Sequence, residues 1–221
     1  ALEESVSGES LALARALTEY GNALVANDRA ADAVALHQRA QRIRLALLPP
    51  SDVQLAGSHN GLGQAQLALG HASEALEEHR HAAELLENAW PGPHLDRVRT
   101  LVFVANAQRA AGGPSAAAVT LQEALSMAST LLKPEHPLRV ALERDLGRAL
   151  LSMGRWGDAA EHLGRAVDDG PPDIERATLL AELAEAELSR KKPGEAVRRA
   201  QASLALRSDG WVRFILARAL K

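Results

Sequence analysis

Small residues recur along this chain at a fixed interval of 42 residues. Four alanines mark the interval: Ala33, Ala75, Ala117 and Ala159. Each is followed seven residues later by another alanine: Ala40, Ala82, Ala124 and Ala166. A fifth copy follows after a shorter step of 37 residues, with Ala196 and Ser203 at the two positions. Five copies in register predict an array of stacked repeats, in which each unit buries its apolar surface against its neighbours.

A second set of small residues predicts that each copy contains two helices. These residues lie twelve positions before the alanines, at Gly21, Gly63, Ala105, Gly147 and Ala184. Small residues in both segments let two antiparallel helices approach to about 8–10 Å. The turn between the helices is predicted at Asp28, Gly70, Gly112, Gly154 and Lys191. Glycine suits this position because it readily adopts the left-handed conformation that ends many helices.

Proline-rich segments are predicted to end the second helix of four copies. They are Pro49-Pro50, Pro91-Gly92-Pro93, Pro134 with Pro137, and Gly170-Pro171-Pro172. Proline removes a backbone donor and disrupts a helix interior, so these segments separate one copy from the next. The composition agrees, because 47% of the residues are hydrophobic but only 3% are aromatic. Such a core consists mainly of alanine and leucine, the strongest apolar helix formers, which predicts an all-α fold.

The charge balance argues against two classes of partner. The formal net charge is -3, whereas nucleic acids and membrane surfaces both favour a basic protein.

The chain has no cysteine, so it has neither a disulfide framework nor a thiolate metal site. No apolar run approaches the roughly 20 residues of a membrane helix, and the first residues do not resemble a signal peptide. We therefore expect a cytoplasmic protein.

The turn of the fourth copy and the start of its second helix resemble the tetratricopeptide repeat (TPR). The segment is Gly154-Arg155-Trp156-Gly157-Asp158-Ala159-Ala160. The 42-residue period and the junction Pro134-Glu135-His136-Pro137 resemble the longer variant found in kinesin light chains and in bacterial signalling proteins. The resemblance implies an all-α, right-handed superhelical solenoid of antiparallel helix pairs. It divides the chain into repeats 9–50, 51–92, 93–134, 135–171 and 172–207, followed by a terminal helix over 209–221.

The resemblance also implies a scaffold that binds a protein or peptide on the concave face formed by the first helices of the repeats. The candidate groove residues are Asn22, Asn60, Gln64, Arg99, Asn106, Arg109, Arg144, Arg148 and Glu185. Amide side chains suit a peptide backbone because each offers a donor and an acceptor. The four arginines form a basic centre, which favours a ligand with acidic residues. The alternative interpretation is that these side chains only face solvent, and neighbouring carboxylates such as Asp145 and Glu182 dilute the positive charge.

Both ends of the sequence look cut, and we expect a fragment of a larger protein. Residues 1–8 align with the tail of a preceding second helix, and residues 209–221 read as a first helix without a partner. That last helix is either a cap or an exposed interface. If it is exposed, Trp211 and Phe214 form an apolar patch, which gives a second hypothesis of self-association into a homo-oligomer.

No catalytic or metal-binding pattern is recognisable, so we expect no enzymatic activity, no metal and no cofactor. His79 and His81 are two residues apart and lie on different helix faces, whereas a helical metal pair needs a spacing of three or four. His37 and His79 occupy the repeat position of Leu121 and Leu163, which predicts packing residues. A third hypothesis is that the array recruits a substrate for an enzyme whose catalytic domain lies outside this chain.

Overall fold

The computed structural model describes residues 9–170, 174–207 and 209–220. This part of the chain contains eleven α-helices and no β-strand, which confirms the all-α fold class. The helices are α1 (Leu11–Ala26), α2 (Ala30–Leu47), α3 (Gln54–Ala68), α4 (Ala72–Ala89), α5 (Leu95–Ala110), α6 (Pro114–Leu131), α7 (Pro137–Ser152), α8 (Trp156–Asp169), α9 (Ile174–Ser189), α10 (Pro193–Leu206) and α11 (Gly210–Ala219). The predicted helix tail over residues 1–8 and the predicted breakers Pro171 and Pro172 lie outside the described residues.

The helices form two compact units. Unit 1 is Ala1–Gly113 and holds α1–α5, and unit 2 is Pro114–Lys221 and holds α6–α11. The division falls inside the predicted third repeat, 93–134. Within each unit every helix packs on the next one along the chain. In addition, α1 contacts α3 and α3 contacts α5, while in unit 2 α7 contacts α9 and α9 contacts α11. The odd-numbered helices, which are the predicted first helices, therefore form one layer in each unit.

A polar side chain caps the start of four first helices at one repeat position. These residues are Ser10, Asp52, His94 and His136, each 42 residues after the previous one. Ser10 Oγ accepts a hydrogen bond from the Leu13 N–H (3.1 Å), and the other three accept from the N–H two residues ahead (2.8–3.2 Å). Each side chain thus satisfies a backbone donor that has no partner inside its own helix.

All five predicted turn residues adopt the left-handed conformation. Their φ angles are 58° at Asp28, 85° at Gly70, 81° at Gly112, 71° at Gly154 and 60° at Lys191. Three of the turns therefore use glycine, which meets no steric penalty there, while Asp28 and Lys191 carry a Cβ into a disfavoured region. The prediction of the turn position is confirmed at every copy.

Replacing the two non-glycine turn residues is expected to stabilise the fold. Both Asp28 and Lys191 are exposed, so a glycine removes the left-handed strain without removing a buried contact. We expect Asp28→Gly and Lys191→Gly each to raise the free energy of unfolding by about 1 kcal/mol, after the greater freedom of glycine in the unfolded chain is subtracted. Urea unfolding followed by circular dichroism measures the change. Exposed Arg29, the N-cap residue of α2, provides the control Arg29→Gly, which should not raise stability, because its φ is -109° and the change removes its ion pair with Asp32.

Small residues on the first helices make room for large side chains on the second helices. A Cβ built on Gly21 would lie 2.6 Å from His37 Nε2, and one on Gly147 would lie 2.7 Å from Leu163 Cγ. His37 and His79 are both 0% exposed. The two histidines are therefore packing residues, as the repeat pattern predicts. The same contacts explain why the first helices have small residues at these positions.

One partly buried pair of histidine and glutamate occurs twice with its members exchanged. In unit 1, His59 Nδ1 on α3 lies 2.7 Å from a carboxylate oxygen of Glu78 on α4. In unit 2, Glu143 on α7 lies 2.6 Å from His162 Nδ1 on α8. His59 and Glu143 occupy the same repeat position, and so do Glu78 and His162. The same contact between two helices is thus made with the histidine on either side.

The last helix, α11, packs against the helix pair before it. Val212 and Ile215 are buried in a cluster with alanines of α9 and α10, and Leu216 packs against the edge of that cluster. Trp211 and Phe214 remain 41% and 59% exposed. The helix therefore covers the end of unit 2 with one face, and presents two aromatic side chains on another.

Candidate functional site

A cavity of about 820 Å³ lies in unit 1 along the layer formed by α1, α3 and α5. Its polar lining includes Arg15, Thr18, Asn22, Asn60, Gln64 and Arg99. Apolar surface comes from Phe103 on α5 and from Leu86 and Trp90 at the end of α4. Trp90 stacks on the His94 ring with 3.7 Å between ring centroids, so it packs at the junction between α4 and α5. The cavity combines amide groups, charge and an apolar wall in one surface.

Four of the predicted groove residues line this cavity: Asn22, Asn60, Gln64 and Arg99. Asn106 and Arg109 lie further along α5 and do not line it. Arg144, Arg148 and Glu185 belong to unit 2. The cavity thus runs along the first helices of the first three predicted repeats. The role of all nine residues in binding stays a prediction.

Asn60 is held in place by hydrogen bonds to two other helices. Its Nδ2 donates to Thr100 Oγ1 on α5 (2.7 Å), and its Oδ1 accepts from His79 Nδ1 on α4 (3.1 Å). The second bond requires the proton of the neutral His79 ring to be on Nδ1. Burial lowers the pKa of His79 to about 4, although the negative charge of Glu78 acts to raise it. The His79 ring is therefore neutral at pH 7. The amide of Asn60 is therefore fixed in orientation at the cavity wall.

Arg44 is a functional candidate that the sequence reading did not find. It lies on the second helix α2, is only 7% exposed and still lines the cavity. Its Nη1 donates to Thr18 Oγ1 (3.0 Å) and to Ser58 Oγ. The predicted groove residues all lie on first helices, whereas Arg44 lies on a second helix. The sequence does contain a signal for Arg44. Its repeat position is occupied by Leu86 and Ala128 in the next two copies, and both of these residues are buried.

The arginines predicted for the basic centre in unit 2 are paired with carboxylates. Arg148 Nε lies 2.8 and 3.0 Å from the two carboxylate oxygens of Glu182. Arg144 contacts Asp145 (2.8 Å) and Glu175. Burial alone would lower the pKa of Arg144, but the hydrogen bonds and charges of these two carboxylates raise it overall. Burial raises the pKa of Glu182, and the opposing charge of Arg148 only partly offsets this.

These pairs largely neutralise the positive charge that the sequence indicates in unit 2. Glu182 and Glu175 come from the following repeat, and Asp145 is the direct neighbour of Arg144. In unit 1, Arg99 is also paired, with Asp96 at 3.4 Å. Three of the four arginines of the basic centre, Arg99, Arg144 and Arg148, are thus in ion pairs, so its unpaired positive charge is smaller than the count of arginines.

The described part of the chain contains no group of three or more histidine or acidic side chains arranged to hold a metal ion. Within residues 9–170, 174–207 and 209–220, no helix is both long enough and apolar enough to cross a membrane.

Comparison with solved structures identifies the class of the fold: it is that of TPR-like repeat proteins. A candidate kinesin light chain of Podosopora anserina with nearly identical TPR-like repeats has a TM-score of 0.77 at 24% identity, with 96% of this chain and 99% of that chain covered. YrrB, a TPR protein with an unusual peptide-binding site, has a TM-score of 0.65 at 13% identity, covering 97% and 96%. The prediction of TPR repeats, including the resemblance to kinesin light chains, is thus confirmed at the level of fold.

A more distant neighbour was solved with a peptide bound. It is the Rap conjugation gene regulator of plasmid pLS20 in complex with a Phr peptide, with a TM-score of 0.59 at 14% identity, covering 84% of this chain and 50% of that one. No protein-family model matches the sequence. Among curated proteins, the protein-lysine N-methyltransferase SMYD4 of Gallus gallus is 36% identical over 63 residues. That match covers 26% of this chain and 8% of the methyltransferase.

Proposed function

We propose that this chain is a scaffold without catalytic activity of its own, which binds an extended segment of a protein or peptide. The binding site is the cavity along α1, α3 and α5 in unit 1. The observation that carries the proposal is the row of amide side chains on this surface, Asn22, Asn60 and Gln64. Each amide can pair with both the N–H and the C=O of a peptide backbone.

The dimensions of the cavity fit a peptide better than a small metabolite. It runs across three neighbouring helices, which pack about 8–10 Å apart, so its length is on the order of 20 Å. An extended chain advances about 3.3 Å per residue, so about six residues fit along it. Phe103 and Trp90 provide apolar surface for side chains that point into the wall. The volume of about 820 Å³ is also near the upper end of small-molecule sites.

The fixed orientation of Asn60 supports the same proposal. A binding group that is already held by its own protein loses little conformational entropy when the ligand arrives. Asn60 has this property because its two bonds tie it to α4 and α5. The peptide-binding site of YrrB and the peptide complex of the Rap regulator are further support, since both proteins share this fold.

A steric block of the cavity tests the proposal. Gly57 on α3 lines the cavity, and a Cβ built on it has no heavy atom within 4 Å. We expect purified chain to select dodecapeptides from a random displayed library, and Gly57→Trp to weaken their binding at least about tenfold, measured by isothermal titration calorimetry with the synthetic peptides. The matched control is Gly164→Trp on α8, where a Cβ also has open space and which does not line the cavity.

Two results would contradict the proposal. One is that no dodecapeptide is selected by the folded chain. The other is that selected peptides bind the Gly57→Trp variant as tightly as the parent, which would place their site elsewhere. Circular dichroism and thermal unfolding of both tryptophan variants show whether a loss of binding is a loss of fold.

A further inference from the structure

Arg44 carries a buried positive charge without a carboxylate partner. Its side chain forms two hydrogen bonds, both from Nη1 to the hydroxyl groups of Thr18 and Ser58. The three remaining N–H donors, on Nε and Nη2, have no partner among the described residues. No ion pair involves Arg44 in this part of the chain either. A guanidinium keeps its proton even when burial lowers its pKa, as it does for Arg44, so the charge is permanent.

The fold itself gives no reason for a charge at this position. Leu86 and Ala128 occupy the corresponding place in the next two copies, and both are buried. Removing an unpaired charge from water costs free energy, whereas an apolar side chain at the same place gains it. Arg44 therefore makes the folded protein less stable than the leucine of the next repeat would. A binding role accounts for a residue that the packing does not require.

The surroundings of Arg44 complete the features of an anion site. It lines the cavity in which we place the ligand segment, together with Arg15 and Arg99. The two carboxylates on the same lining are Glu19 and Asp96, and Asp96 is paired with Arg99. Three arginines and two carboxylates leave the cavity positive, although the whole chain is negative.

We infer that Arg44 binds a carboxylate of the ligand segment at the floor of this cavity. Thr18 and Ser58 accept hydrogen bonds from Nη1, and this leaves the edge formed by Nε and Nη2 for a second partner. That edge presents two parallel N–H donors, which match the two oxygens of a carboxylate. The inference rests on the proposed peptide-binding function and adds the chemistry that selects the ligand: an acidic side chain or a C-terminal carboxylate is required at one position.

The first test uses Arg44→Leu, which copies the residue of the next repeat and so should keep the fold. Its matched control is Arg42→Leu, an exposed arginine two residues away on the same helix. Parallel selections of random dodecapeptides on the parent and on Arg44→Leu should differ. We expect peptides selected by the parent to share one acidic position or an acidic end, to bind Arg44→Leu at least about tenfold more weakly, and to bind Arg42→Leu unchanged.

Changes in the peptide separate the two sources of carboxylate. Replacing the shared Glu by Gln tests the side chain, and amidating the C-terminus tests the terminal carboxylate. One of these two peptide changes should weaken binding to the parent chain as much as Arg44→Leu weakens binding of the unchanged peptide. The same peptide change should not weaken binding to the Arg44→Leu chain any further. Arg44→Lys keeps the charge but not the two parallel donors, so it should restore only part of the affinity.

A second measurement does not depend on finding a peptide. Acetate is titrated into chain labelled with ¹⁵N-arginine, and the Nε–H resonances are followed by NMR. The Arg44 resonance should shift at a lower acetate concentration than that of exposed Arg42. If Arg44 does not respond before Arg42, the inference is overturned.

The peptide experiment separates the inference from the function on which it rests. Peptides that depend on the open cavity, but have no acidic position and bind Arg44→Leu normally, would overturn the carboxylate site and leave the peptide-binding function standing. Failure of the folded parent chain to select any peptide would overturn both.

Discussion

Between pH 6.5 and pH 4 the folded protein should lose about 3 kcal/mol of stability through His79 alone. The pKa of this ring is about 4 in the folded chain because of burial, against 6.5 in the unfolded chain. The unfolded state therefore binds its proton first as the pH falls, and each pKa unit of difference corresponds to about 1.4 kcal/mol. The contribution of neutral His79 to the free energy of unfolding is fully present above pH 6.5 and is lost progressively as the pH falls towards 4. His37 acts in the same direction, because burial and then the charge of Arg44 lower its pKa.

Urea unfolding at a series of pH values measures this loss. The variants are His37→Leu and His79→Leu, because Leu121 and Leu163 occupy the same repeat position. At pH 7, His79→Leu also removes a hydrogen bond from Asn60, so the informative quantity is the slope of stability against pH. We expect this slope between pH 6.5 and pH 4 to fall in each variant and to fall furthest in the double variant.

The control is His71→Leu, which replaces an exposed histidine at the turn before α4. It should leave the slope unchanged. The explanation fails if His79→Leu is as sensitive to acid as the parent, since the protons that destabilise the fold would then bind elsewhere.

The glycines of α3 should respond in opposite ways to the same substitution. Gly57→Ala should raise the free energy of unfolding by about 0.5–1 kcal/mol, because alanine favours a helix and the new Cβ has open space. Gly61→Ala and Gly63→Ala should each lower it by about 1–3 kcal/mol, because the core is overpacked. A Cβ on Gly61 would lie 2.5 Å from His37 Cε1 and Nδ1, and one on Gly63 would lie 2.6 Å from His79 Cε1. His37 cannot move away freely, since Gly21 closes on its other side.

Thermal unfolding of the three single variants gives the comparison within one helix. A double variant, Gly61→Ala with His37→Ala, shows whether the ring is the cause. Gly61→Ala should lower the free energy of unfolding less in the His37→Ala chain than in the parent chain. A Gly61→Ala chain as stable as Gly57→Ala would contradict the close packing of α3 on His37.

The parts of the fold that are set by local chemistry could be predicted from the sequence. The five turn residues follow from the repeat and from the preference of glycine for left-handed backbone, and all five have positive φ, including Asp28 and Lys191. The buried state of His37 followed from Leu121 in the same position of another copy. Both predictions use the period, because equivalent residues in a repeat array have equivalent surroundings.

The candidate site could be predicted only in part. Asn22, Asn60, Gln64 and Arg99 were found because they lie on first helices, which line the cavity. Arg44 was missed because it reaches the same cavity from a second helix. The pairing of Arg148 with Glu182, 34 residues away, could not be read from the period either. It depends on how far two long side chains reach between neighbouring helices, and a repeat pattern gives the position of a residue but not its partner.

The exchanged pair of histidine and glutamate limits how such an array can be recombined. His59 faces Glu78 in one helix pair, and Glu143 faces His162 in another. If α3 were joined to α8, two histidines would face each other, and α7 joined to α4 would bring two glutamates together. The single helix is therefore not the transferable module, although the first helices α3 and α7 have nearly the same length, 15 and 16 residues. Gene duplication, or a design that shuffles these repeats, has to move both helices of a pair together.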